Sequence, residues 1–134
     1  MKRIDVVIGI VIRSGRVLIC QRRADDPVLG GYWEFPGGKL EAQESREQGL
    51  IRELAEELAI RVRPTEALPV IEHDYPTVHV RLHPYLCEHM DGEAQPLACE
   101  QVIWILPGDL ARYRFPPANV ELIHTLIRRL APSL

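Results

Sequence analysis

No apolar run in this sequence approaches the ~20 residues that a membrane-spanning helix needs. The longest, Val6 to Ile12, is interrupted by Gly9 and bounded by Asp5 and Arg13. Positive charge is also short, with 16 Lys and Arg against 19 Asp and Glu, for a net charge of −3. A protein that wraps a nucleic acid backbone carries a basic excess or stripe, so polymeric DNA or RNA is excluded as the main ligand. A phosphate-bearing small molecule stays open if a divalent metal neutralises the phosphates. Cysteine is scarce: Cys20, Cys87 and Cys99 are an odd number and form no C-x-x-C pair. They read as reduced, partly buried thiols. Met1-Lys2-Arg3 is followed at once by Asp5, with no small-residue cleavage site, so the expected location is the cytoplasm, with no membrane partner. Repeats, low-complexity tracts and interdomain linkers are missing too.

What is present fits one domain over residues 1–134, with 46% hydrophobic and 26% charged residues. Ile4 to Arg13 and Val17 to Gln21 read as strands around a Ser14-Gly15 turn, a hairpin. Asp25 to Tyr32 reads as a loop that continues through Trp33-Glu34-Phe35-Pro36-Gly37-Gly38-Lys39. Ser45 with Gln48 is the pattern of a capping box, and Leu50, Ile51, Leu54 and Leu58 follow at helical spacing. Val70–Ile71, Val78 to Cys87 and Val102 to Leu106 read as strands, with Pro84 demoting part of the second to an edge or bulge. Leu122, Ile123, Leu126, Ile127 and Leu130 form one stripe of a final helix. Two amphipathic helices among many strands predict an α/β (α+β) fold, a mixed sheet flanked by helices.

The chemistry concentrates in Arg52-Glu53-Leu54-Ala55-Glu56-Glu57-Leu58. At 100° per residue Glu53, Glu56 and Glu57 fall within about 100° of arc. Three such carboxylates repel one another, and a hard cation with a preference for oxygen would turn repulsion into coordination. A solvated glutamate face is the plain alternative. Gly49, one turn before Glu53, suggests the close approach of a phosphate, a metal or a packed neighbouring loop. Gly37-Gly38 suits either a turn or backbone contact with a ligand.

From Gly38, five residues lead to Glu44 and seven more to Arg52-Glu53-Leu54-Ala55-Glu56-Glu57-Leu58-Ala59-Ile60. This resembles the Nudix box, G-x5-E-x7-R-E-U-x-E-E-x-G-U with U apolar, at every fixed position except the last glycine, which is Ala59. That departure concerns the helix exit, where a left-handed cap disfavours alanine. Glu34 to Lys39, Arg22-Arg23 and Phe115 to Asn119 further resemble the MutT-like branch. The resemblance implies a Nudix α/β/α sandwich and hydrolysis of nucleoside triphosphates to monophosphate and pyrophosphate, with oxidised guanine nucleotides preferred. It implies Mg²⁺ or Mn²⁺ on Glu53, Glu56, Glu57 and the Gly37 carbonyl, with Glu100 as a further acidic ligand and Glu93 as its alternative. Glu53 is the candidate for positioning or deprotonating the attacking water, Glu44 is its rival, and Arg52 orients a box carboxylate or forms a surface ion pair. Lys39 meets a phosphate or is a solvated loop lysine. Asn119 reads the base edge or caps the final helix.

Arg23 and Phe35 are expected in the base pocket, and His79 lies where the family places a pocket residue. Zinc on His79 and His83 has no third-ligand pattern behind it, and Trp33 and Trp104 read as core or pocket wall. Cytidine triphosphates are the alternative substrate, because Trp33-Glu34-Phe35 also resembles relatives of that kind; a noncatalytic nucleotide-binding module is another alternative. The expected partner is a small nucleoside triphosphate, and the expected state is a monomer or weak dimer.

Overall fold

The computed structural model describes residues 2–131. Its eight strands are β1 (Lys2–Arg13), β2 (Arg16–Gln21), β3 (Trp33–Glu34), β4 (Gly37–Lys39), β5 (Arg61–Ala67), β6 (Ile71–Tyr75), β7 (Val78–Asp91) and β8 (Gln101–Ile105). Helix α1 spans Arg46–Leu58 and α2 spans Val120–Leu130. The sheet is mixed. β1 and β7 run parallel from Lys2 opposite Val78 to Ile12 opposite Glu88, and every other pairing is antiparallel. One edge of β1 is shared by β4 near Val6–Ile8 and β2 near Ile12–Arg13, while β7 shares its far edge between β5 and β6. No helix among the described residues is long and apolar enough to cross a membrane.

Alternation along β1 builds both layers, because successive side chains point to opposite faces. Val7 and Val11 join Leu50, Leu54 and Leu58 of α1, while Ile8 and Ile10 join Leu122, Ile123 and Leu126 of α2. Ile51 departs from the expected stripe and is 37% exposed. The capping box forms as the sequence predicts: Gln48 N–H donates to Ser45 Oγ at 3.1 Å, and Ser45 N–H to Gln48 Oε1 at 3.0 Å.

Three short or irregular elements escape the sequence reading. β3 and β4 are two and three residues long, too short to show a period, and β5 carries Pro64 on the far edge of the sheet with register shifts around it. Pro84 is the opposite case, since β7 runs unbroken through it between β1 and β5. The Pro84 carbonyl accepts from Leu68 N–H at 2.9 Å, so residue 84 turns its backbone polar groups toward the junction between β5 and β6. The missing donor therefore falls where no ladder bond is required, and the pairing with β1 is kept.

Ala59 ends α1 at φ 58° and ψ 34°, the left-handed conformation that the resembled pattern reserves for glycine. The exit is kept because the N–H groups of Ala59 and Ile60 bond to the carbonyls of Ala55 and Leu54. Left-handed geometry costs an L-residue roughly 1–2 kcal/mol, partly offset by glycine's larger entropy when unfolded. Ala59→Gly is therefore expected to stabilise the fold by about 0.5–1 kcal/mol. Thermal melts would show a Tm a few degrees higher; a lower Tm would contradict the strain argument.

Candidate active site

β4 wedges between β1 and α1, and its glycines make that possible. A Cβ at Gly37 would meet the Val7 carbonyl and sit 2.8 Å from Ile8 Cα, and one at Gly38 would fall 2.5 Å from Glu53 Cδ. Glu53, 9% exposed, thus lies directly against the glycine backbone. Gly49 has a different reason for being small. A Cβ there would run into Leu40 and come within 2.8 Å of Glu44 Oε1, so of the readings open in the sequence, the packed loop is the one observed.

Arg52 is the hub of the glutamates. Its Nε and Nη2 fork onto the two oxygens of Glu44 at 2.6 and 2.9 Å, and Nη1 reaches Glu53 Oε1 at 3.1 Å and Glu56 Oε2 at 3.2 Å. Nη2 also reaches the Lys39 carbonyl at 3.3 Å, tying the glycine strand to the helix. Such a planar fork is more than a surface ion pair, and lysine could not reproduce it. Glu44 is held down to about 2 by Arg52 and by the Glu41 N–H. Its lone pairs are committed and its basicity is low, so it is poorly placed to take a proton from water and well placed to orient Arg52.

Glu57 behaves oppositely. Burial pushes its carboxyl up to about 7, and the charge of the neighbouring Glu53 adds to the effect. Two carboxylates in contact need a proton or a cation between them. Oxygen donors suit a hard divalent ion, but among the described residues no three acidic side chains stand together as a metal site: Glu53 and Glu57 are neighbours, while the exposed Glu56 is tied to Arg52. The pH dependence of the metal-free fold follows. The folded value of about 7 lies above the usual 4.5, so the contribution is full below about pH 4.5 and is lost as pH rises toward 7. The Tm of metal-free protein is expected to fall across that interval, and Glu57→Gln to flatten the fall. An unchanged slope in the variant would contradict the shared proton.

A cavity of about 720 Å³ opens against the glycine strand on which Glu53 packs. Val6, Ile8, Val80 and Leu82 form its floor, the turn at Tyr75–Val78 and the loop at Val28–Leu29 form its sides, and Gly37, Gly38 and Lys39 form its rim. Phe35 is both wall and core, packed 5.0 Å from Phe115. Asn119 is 6% exposed, lines the cavity and makes no side-chain cap bond to α2. Among the described residues its amide has no hydrogen-bond partner, so the cap reading gives way to a polar group facing the cavity.

Some expected residues stand elsewhere. Arg22 lines both the large cavity and an adjoining one of about 290 Å³, whereas Arg23 lines only the latter, with Asp25, Asp26 and Glu34. Glu100 is exposed and lines none of these cavities, its N–H bonding the Gln21 carbonyl, and Glu93 pairs with Arg13 at 3.5 Å. His79 lies on the β7 face opposite Val80 and Leu82, between Asp74 and Glu72, outside the cavity, while His83 bonds Asp5 at 2.9 Å. Trp33 packs edge-on to Tyr113, and Trp104 lies under Arg13, so both are structural. Glu34 is the residue the sequence reading missed. It lines both cavities and a third, small one that it shares with Gly37 and Glu57, pairs with Arg22 at 3.2 Å, and its carboxyl is pushed up by burial. Its place in Glu34-Phe35-Pro36-Gly37-Gly38 was visible, but β3 is too short to show which way it points.

A carboxylate helix over a double-glycine strand, beside a cavity of nucleotide size, defines a hydrolase built to handle phosphates. The chain belongs to the NUDIX domain family, which it matches over residues 7–125, and to its MutT-like branch. It is 33% identical to CTP pyrophosphohydrolase of Escherichia coli (strain K12), covering 95% of this chain and 93% of that protein. It is also 33% identical to 8-oxo-dGTP diphosphatase of the same strain, covering 96% and 99%. Among solved structures, the E. coli ORF135 protein superposes with a TM-score of 0.81 at 33% identity, covering 100% of this chain and 96% of that one. A MutT structure from a study of Aliivibrio salmonicida and Vibrio cholerae gives 0.78 at 37% identity, covering 96% and 98%.

Proposed function

We propose that this Nudix hydrolase cleaves nucleoside triphosphates to monophosphate and pyrophosphate with a divalent metal, and that oxidised purine nucleotides such as 8-oxo-dGTP are its preferred substrates. The observation that carries the base preference is Asn119, a buried amide that lines the large cavity and has no hydrogen-bond partner among the described residues. One planar amide that both donates and accepts suits a purine edge carrying both kinds of group.

Glu53, Glu56, Glu57 and the Gly37 carbonyl would hold Mg²⁺ or Mn²⁺, which when bound neutralises phosphate charge and makes a coordinated water more acidic. Glu53 accepts the proton of the attacking water as its oxygen bonds to phosphorus and the bridging P–O bond breaks. Arg52, held by Glu44, fixes the Glu53 carboxylate. Lys39, exposed on the rim, meets a phosphate, and Phe35 backs the base. Glu34 supplies the acidic group beside Gly37 and Glu57 that the exposed Glu100 does not.

Cytidine triphosphates are the second reading, favoured by the identity to the E. coli CTP pyrophosphohydrolase, equal to that with the 8-oxo-dGTP diphosphatase. A Mg²⁺-dependent screen of dGTP, 8-oxo-dGTP, CTP and dCTP, scored as kcat/KM with products identified, separates them. Preference for 8-oxo-dGTP is expected. Preference for a cytidine nucleotide would keep the carboxylate chemistry and overturn the role of Asn119. No turnover of any, with folding and metal verified, would overturn the triphosphate reading.

A further inference from the structure

Cys20 lies in β2 opposite Val102 of β8, and Cys99 stands two residues before β8 begins. The Glu100 N–H bonds the Gln21 carbonyl at 2.9 Å, which holds the segment carrying Cys99 against the end of β2. The two thiols are neighbours in one core cluster, and that of Cys99 lies 3.5 Å from the Gln101 carbonyl. Both line a cavity of about 30 Å³ together with Glu34, Gly37 and Glu57. That is room for a molecule about the size of water.

The segment that carries Cys99 also holds the end of the carboxylate helix. Gln95 N–H donates to the Leu58 carbonyl at 2.8 Å, and Leu97 N–H to the Glu57 carbonyl at 3.2 Å. Helix ends leave such carbonyls unpaired unless something outside the helix donates to them. The third thiol, Cys87, sits in β7, bonds the Tyr85 carbonyl and does not line the small cavity. It is an internal control.

We propose that Cys20 and Cys99 form an oxidisable dithiol, which a peroxide converts to a disulfide tying β2 to the loop that holds the end of the carboxylate helix. Cys99 is 8% exposed and Cys20 4%, so Cys99 meets the oxidant first. Its sulfur attacks a peroxide oxygen, the O–O bond breaks, and one water leaves with the thiol proton, giving a sulfenic acid. The Cys20 sulfur then attacks that sulfenic sulfur and displaces hydroxide, which departs with the Cys20 proton as a second water. Two thiols lose two electrons and two protons, and hydrogen peroxide becomes two waters.

The test treats the full-length protein in Mg²⁺ buffer with hydrogen peroxide, blocks remaining thiols with N-ethylmaleimide and maps peptides by mass spectrometry. The expected product is a Cys20–Cys99 linked peptide pair, about 2 Da lighter than the two thiol peptides together and released by dithiothreitol, with Cys87 still reduced. Amide exchange at Gln95 and Leu97 is expected to slow in the oxidised protein. Linkage through Cys87, over-oxidation of Cys99 without a crosslink, or three surviving thiols would each overturn the pairing. Unchanged exchange at Gln95 and Leu97 in protein that has formed the crosslink would overturn the tie to the helix end.

Discussion

Glu53→Gln is expected to lower kcat about a thousandfold with KM little changed, within the range that a positioned general base contributes. Glu53 is buried against Gly38, and Arg52 Nη1 bonds one of its oxygens, so its orientation is fixed on two sides. Glutamine keeps the shape and removes both the charge and the proton acceptor. The variant also relieves the contact between the Glu53 charge and Glu57, so its metal-free Tm is expected to match or exceed that of the parent. Lost turnover with retained stability is a combination that a purely structural glutamate would not give. Single-turnover kinetics and thermal melts on the same preparation read both. Unaltered kcat would remove Glu53 from the chemistry.

The second large effect is one of discrimination. Asn119→Ala is expected to reduce kcat/KM for 8-oxo-dGTP about ten- to a hundredfold, from the roughly 1–3 kcal/mol lost when polar groups on the base are left without partners. Cytidine triphosphate, which does not depend on that amide under the leading reading, is expected to change little. Most buried asparagines are risky to truncate, because a protein partner is orphaned. Here no protein partner exists among the described residues, so the variant is expected to melt within about 1 kcal/mol of the parent. An equal fall for every nucleotide would mean that Asn119 shapes the cavity and reads nothing.

Features legible in advance were those whose signal is complete within one element. The 3.6-residue repeat put Glu53, Glu56 and Glu57 on one arc, Ser45 and Gln48 marked where that helix starts, and the Val- and Ile-rich run from Ile4 to Arg13 marked a strand. Each needs only neighbours in the chain. Even the departure at Ala59 was visible there, although only the observed φ of 58° shows that the exit geometry survives it.

Tertiary structure decided the relations between elements. Arg22 reaches the large cavity and Arg23 only the adjoining one, a matter of how the loop after β2 folds back. His79 stands outside the large cavity because Val80 and Leu82 take that side of β7, which leaves odd-numbered neighbours on the other. Pro84 reads as a strand breaker until β5 and β6 are seen to leave a junction opposite it. Arg52 could be read as orienting some carboxylate, but its fork onto Glu44 depends on how the loop before α1 packs over Gly49. Local periodicity therefore determined the carboxylate helix and the apolar stripe of α2, because those interactions close within a few residues. The cavity, the place of Glu34 and the Cys20–Cys99 contact were set only by strand register, which joins residues that the sequence keeps far apart.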